Sequence, residues 1–208
     1  MLFDLDGVLV DSRPVVERTW HRWAARHDIH DPGLVRRAHG RRSVETVRAV
    51  APHLDPAPEV RWLAEAELSD VEGLAAIQGA SLLLAALSEG EWAVVTSGGR
   101  ELALLRLEHV GLPVPRVLLA AEDVDEGKPS PAGYLLAARQ LGFAPTECVV
   151  IEDTPAGIEA GRAAGAKVLA VCTTFPDADL GEADAVVETP AVVRIDRGDG
   201  WLRLNLGT

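Results

Sequence analysis

FDLDGVLVDS (residues 3–12) begins as a buried strand and ends as a turn, and it carries Asp4 and Asp6 at the junction. Leu2 and Phe3 lead into the first aspartate, and Gly7 permits a tight turn after the second. Two carboxylates at a strand end, two residues apart, can approach one phosphorus atom and one cation together. Only three residues precede Asp4, whereas a central strand usually takes about five or six. The strand therefore reads as clipped, either because its natural start lies upstream of Met1 or because the sequence is trimmed.

Beyond Ser12 the pattern turns helical. Ser12 is placed as an N-cap, Pro14 falls in the first turn, and Val16, Trp20, Trp23, Ala24 and His27 follow the spacing of one helix face. Helical stretches are expected over 32–39, 43–50 and 57–68, punctuated by Gly40, Pro52 and Pro56. No strand-like run is read between Val10 and Gly90. After Gly90 strands and helices alternate: strands over 92–96, 117–120, 148–151, 168–171 and 185–187, helices over 100–110, 131–140 and 156–164. Units of this size indicate an α/β fold with a Rossmann-like parallel sheet. Val192 to Ile195 and Trp201 to Leu206 flank Asp199 and Gly200, which predicts a short C-terminal β-hairpin. The helical segment between the first two strands is too long for a crossover. It reads as an all-helical domain over 13–79 inserted into a core of 1–12 and 80–208.

Composition narrows the function classes. Apolar residues make up 48% and charged residues 25% of the 208, enough apolar side chains for a packed core. A net charge of −12 argues against nucleic acid as a partner, since phosphate backbones need clustered Lys and Arg. Within residues 13–48, however, nine Arg face four acids, a local excess of +5. Only two Cys occur, both in strand-like runs, and no run is apolar enough for export or membrane insertion. A cytoplasmic protein, monomeric or weakly dimeric and without membrane partners, is expected.

In open parallel sheets ligands bind beyond the carboxyl ends of the strands, and four fragments fall there. Asp4 can attack phosphorus to form an aspartyl-phosphate, while Asp6 protonates the leaving alkoxide and later deprotonates water. Thr96 and Ser97, in VVTSGG, open a helix whose free N–H groups suit phosphate oxygens, although Ser and Thr also cap helices routinely. Lys128, in GKPSP, is one of two lysines against eighteen arginines. A compact ammonium suits a phosphoryl pocket; a solvated surface lysine is the plain alternative. Glu152 and Asp153 end an apolar strand, where adjacent acids repel unless a cation joins them. Mg²⁺ answers that conflict, with ligands from Asp4, the backbone carbonyl of Asp6 and Asp153, and Glu152 directly or through water. Asp153 is also read as an N-cap for the next helix.

With these fragments in hand, the chain resembles the haloacid dehalogenase superfamily, in its phosphatase branch with a helical cap. It is most similar to the sugar-phosphatase and glycerol-phosphate phosphatase group, through AVVTSGG (93–99), GKPSP (127–131), IEDTPAGIEAGRAAG (151–165) and AHGRRSVET (38–46). That resemblance implies Mg²⁺-dependent hydrolysis of a sugar or polyol phosphate. It also implies that Gly40, Arg41 and Arg42 face the leaving group; for the two arginines a solvated capping pair is the alternative. The histidines at 21, 27, 30, 39 and 53 show no close carboxylate pattern and are read as surface or packing residues. A phosphonate-cleaving relative would need a cap lysine, and 13–79 has none. A sugar phosphomutase shares the core motifs but uses a cap lysine in sugar binding. A catalytically silent binding protein on the same fold is the reading of another class.

Overall fold

The computed structural model describes residues 1–198 and 201–207. In chain order the elements are β1 (Leu2–Phe3), β2 (Val10–Asp11), α1 (Arg13–Arg26), α2 (Leu34–Ala38), α3 (Ser43–Val50), α4 (Pro56–Leu68) and β3 (Ala75–Ala76). There follow α5 (Ala80–Ala85), β4 (Ala93–Val95), α6 (Arg100–His109), β5 (Val117–Leu119), α7 (Ala132–Leu141), β6 (Val149–Glu152), α8 (Pro155–Ala163), β7 (Lys167–Val171) and β8 (Ala185–Val187). The last two are β9 (Val193–Gly198) and β10 (Trp201–Leu206).

Six strands form one parallel sheet in the order β5-β4-β1-β6-β7-β8. Parallel strands bury both faces, and alternate side chains divide accordingly. Phe3, Val94, Ile151 and Leu169 pack into one core, whereas Leu2, Val95, Val150 and Val168 pack into the other. Although β1 spans two residues, it sits at the centre of the sheet, and the ladder continues as Asp4 donates its N–H to Ile151. β9 and β10 pair antiparallel as expected; the turn read at Asp199 and Gly200 lies outside the described residues.

Three details differ from the sequence reading. Val10–Asp11 and Ala75–Ala76 form a two-residue antiparallel ladder where no strand was expected, too short to show a period. It ties together the two chain crossings that lead into and out of the helices. Ser12 stands at the start of α1 without capping it through its side chain, because its backbone is already helical (φ −102°, ψ 0°). The six-residue helix α5 was also not anticipated.

The helices α1 to α4 have a core of their own, in which Val16, Trp20, Trp23, Val47 and Leu63 are buried. Trp20 and Trp23 meet edge to face at 5.3 Å between ring centroids. Burying an indole leaves its N–H needing a partner, and Trp23 donates to Glu59 Oε2 at 2.9 Å. His27 Nε2 reaches the same oxygen at 2.7 Å, so this histidine belongs to a buried polar knot that the sequence did not disclose. Burial alone would raise the Glu59 pKa, but the hydrogen bonds from Trp23 and His27 outweigh it and hold the carboxyl below its ordinary value of 4.5. A depressed acid contributes fully above its unfolded pKa, and that contribution is lost as pH falls through the lower folded value. The melting temperature of Glu59→Gln, compared with wild type by calorimetry, should therefore show the larger deficit at neutral pH and converge on wild type as pH falls below 4.5 and through the lower folded value. Parallel curves would contradict this.

Candidate active site

Because β1 lies between β4 and β6, the ends of these three strands are neighbours in space, and the loop after β5 closes over them. Asp4 follows β1, Thr96 follows β4, Glu152 and Asp153 close β6, and Lys128 comes from the loop beyond β5. Asp4, Thr96, Lys128, Glu152 and Asp153 are all buried.

Lys128 is the hub. Its ammonium bonds Asp4 Oδ1, Glu152 Oε1 at 2.6 Å and the carbonyl of Val95 at 3.2 Å. Burial would lower its pKa, but the Asp4 and Glu152 charges override that and raise it. Asp4 is pushed up to about 8 by burial, with Lys128 pulling the other way.

Glu152 has no coordination capacity to spare. Oε1 also accepts from the Tyr134 hydroxyl at 2.7 Å, while Oε2 accepts from the backbone N–H groups of Asp153 and Thr154 and from the Thr154 hydroxyl. It therefore anchors Lys128, and the arrangement argues against the direct metal ligation allowed from sequence. A methyl group on Gly157 would fall 1.8 Å from Glu152 Oε1, so the first turn of α8 can pack here only with glycine. Thr154, rather than Asp153, caps α8 by accepting from the Gly157 N–H at 3.2 Å.

Asp153 is thereby left with both carboxylate oxygens buried and without a hydrogen-bond partner. Its pKa is raised well above the ordinary value by burial first and by the Glu152 and Asp4 charges next. Orphaned buried carboxylate oxygens are costly and call for a cation. Asp4, Glu152 and Asp153 each place an oxygen within 4.8 Å of the others. With Glu152 saturated, Asp153 and Asp4 are the carboxylates that fit a hard divalent ion. Gly7, at φ +83°, gives this carboxylate room, since a Cβ there would lie 1.9 Å from Asp153 Oδ2.

A cavity of about 370 Å³ opens over Asp4 and Asp6 and runs between the strand ends and the helices. Thr96 Oγ1 accepts from the Gly98 N–H at 3.1 Å, which leaves its own proton free to donate. Ser97 also lines the cavity, and its hydroxyl donates to the Gly40 carbonyl at 2.9 Å. The α6 N-terminus is partly occupied as well, because Glu122 accepts from the Arg100 N–H at 3.2 Å.

Gly40, Arg41 and Arg42 all line this cavity. Arg42 does not face the cavity with a free guanidinium: it bonds Glu45 at 2.7 Å and the carbonyls of Val124 and Asp125 at 3.1 and 2.9 Å. It clamps the start of α3 onto the loop that carries Lys128. Gly40, at φ +76°, lies so close to Thr154 that a Cβ would meet its hydroxyl at 2.5 Å. Arg41 is exposed at the cavity edge, and His39, read as a surface or packing residue, lines the cavity with its pKa lowered by burial.

Arg106 was missed altogether. It lies on the buried face of α6 with Leu102, Ala103 and Leu107, and a lone arginine at that spacing in LALLRLEH was the available signal. Its guanidinium bonds Asp6 Oδ1 at 2.7 Å and Glu67 Oε2 of α4 at 2.6 Å.

Comparison with known proteins bears on this geometry. The model of the haloacid dehalogenase-like hydrolases matches residues 1–165. The chain belongs to that family. Among its relatives, hexitol phosphatase A of Escherichia coli (strain K12) is 44% identical over 193 residues, which cover 90% of this chain and 89% of that protein. Glycerol-1-phosphate phosphohydrolase 2 of Saccharomyces cerevisiae is 34% identical, covering 93% of this chain and 83% of that one. A solved hydrolase from Pseudomonas syringae superposes with a TM-score of 0.81 at 25% identity, over 91% of this chain and 93% of that one. This haloacid dehalogenase-like hydrolase shares its fold with that structure.

Proposed function

We propose that this chain is a phosphatase that hydrolyses a small sugar or polyol phosphate through an aspartyl-phosphate on Asp4, with Mg²⁺ as cofactor. The observation that carries the reading is the buried constellation in which Lys128 joins Asp4 to Glu152 while Asp153 keeps two unpartnered oxygens. The names of the relatives, a hexitol phosphatase and a glycerol-1-phosphate phosphohydrolase, support the substrate class.

Asp153, an oxygen of Asp4 and the Asp6 carbonyl would hold the ion, which when bound neutralises phosphoryl charge and lets an anionic nucleophile approach. An Asp4 oxygen attacks phosphorus, and the bond from phosphorus to the ester oxygen breaks. Asp6 gives its proton to the departing alkoxide. Water then attacks the phosphorus, Asp6 takes the water proton, and the bond to Asp4 breaks to release inorganic phosphate. Lys128 fixes Asp4 and balances charge, and the Thr96 hydroxyl with the backbone N–H groups around Ser97 receives phosphate oxygens. Residues 13–79 act as a cap over a core of 1–12 and 80–208, with Arg41 at the cavity edge and with Gly40 and Arg42 seating the cap.

A phosphate-release screen over hexitol, hexose and glycerol phosphates tests this. Release in Mg²⁺ that stops with chelator is expected, and no release from any of them would overturn the reading. Chromatography of the products separates inorganic phosphate from an isomerised sugar phosphate, which would indicate a mutase instead.

A further inference from the structure

Asp6 has one side-chain hydrogen bond among the described residues, and it comes from Arg106. The bond takes Oδ1 and leaves Oδ2 for a ligand; the Asp6 side chain is 25% exposed, and it lines the cavity. Arg106 itself is 3% exposed and is the one charged side chain on the buried face of α6. Its second nitrogen is held by Glu67, which belongs to α4 in the helical insert, while Asp6 belongs to the core. A guanidinium bound at two points cannot swing freely, so the direction of the Asp6 carboxyl is tied to the seat of α4.

We propose that Arg106 is the positioning residue for Asp6 and that Glu67 makes this positioning depend on the helices being seated over the core. The inference rests on the phosphatase reading given above. Proton transfer in the two half-reactions needs the Asp6 carboxyl aimed first at the ester oxygen and then at water. Arg106 supplies that aim without touching substrate. When α4 moves away, Arg106 loses one anchor and Asp6 its fixed orientation, so the acid is assembled only over a closed site.

The test uses leaving groups of different need. An alkyl phosphate must be protonated as it departs, whereas p-nitrophenolate leaves unaided; positioned acid–base catalysis contributes about 10²- to 10⁴-fold. For Arg106→Met, steady-state turnover of glycerol 1-phosphate should fall by about 100-fold or more. Stopped-flow mixing with p-nitrophenyl phosphate should still give a burst of nitrophenolate near one per enzyme, followed by slow turnover, because only the water step still needs Asp6. If burst and alkyl turnover fall together, or neither falls, Arg106 does not position Asp6. Should Arg106→Met fail to fold, Glu67→Ala carries the same test: it leaves Arg106 and Asp6 in place, and the same split at about 10-fold is expected. Glu67→Ala with wild-type kinetics, or with equal losses on both substrates, overturns the coupling. A wild-type enzyme that releases phosphate from none of the hexitol, hexose and glycerol phosphates removes the phosphatase reading and this inference together. Wild-type turnover without a split in the variants removes the inference alone.

Discussion

Asp4→Asn should lose phosphate release by about 10⁴-fold or more, the order found when a covalent nucleophile is removed. The amide keeps the shape of the carboxylate but has no anionic oxygen to attack phosphorus, and it weakens the site for a divalent ion. The protein itself should not suffer. Asp4 is one of three neighbouring buried carboxylates, and neutralising one relieves repulsion with Glu152 and Asp153, while Lys128 keeps Glu152 as a partner. Measured in chelator, the melting temperature of Asp4→Asn should therefore equal or exceed that of wild type. Acid-quenched wild-type protein should carry phosphate bound to Asp4, and the variant none. Turnover by Asp4→Asn near the wild-type rate would refute the covalent route.

Lys128→Met should be the most damaging change to stability. The substitution leaves Asp4 and Glu152 buried without their shared cation, and breaking such a pair costs about 3–5 kcal/mol. For a protein of this size that is a fall in melting temperature of about 10 °C. Glu152→Gln should restore part of the loss in the double variant, since the amide oxygen can still accept from the backbone N–H groups of Asp153 and Thr154 while its NH2 donates to the Tyr134 hydroxyl, without a buried charge. Additive losses in the two single variants would show that the two side chains act independently. A single variant melting within about 2 °C of wild type would show that the ion pair contributes little.

Much of the architecture was legible because its signals are local. The apolar stripe of α1 and the strand–helix alternation after Gly90 each lie within a short window, and three of the four site fragments fall at strand ends where a parallel sheet binds ligands, with Lys128 in the loop beyond β5. The two-residue strands β2 and β3 were not legible, since two residues carry no period. The partners of Arg42 were not legible for a different reason. A basic residue in a locally positive segment looks like a ligand for substrate charge, but its partners are the carbonyls of Val124 and Asp125, more than eighty positions away.

The sequence alone therefore determined the kind of chemistry available, because a carboxylate pair after a strand, a lone lysine in a rigid loop and an acidic strand end are properties of contiguous residues. Only the tertiary structure decided who is paired with whom. Strand order places β1 between β4 and β6, and that order brings Lys128 to Asp4 across 124 positions and Arg106 to Asp6 across 100. It also commits Glu152 to Lys128 and leaves both Asp153 carboxylate oxygens without a hydrogen-bond partner. Those assignments follow from burial, since charged groups withdrawn from water must find partners in space, and no local pattern records which ones they find.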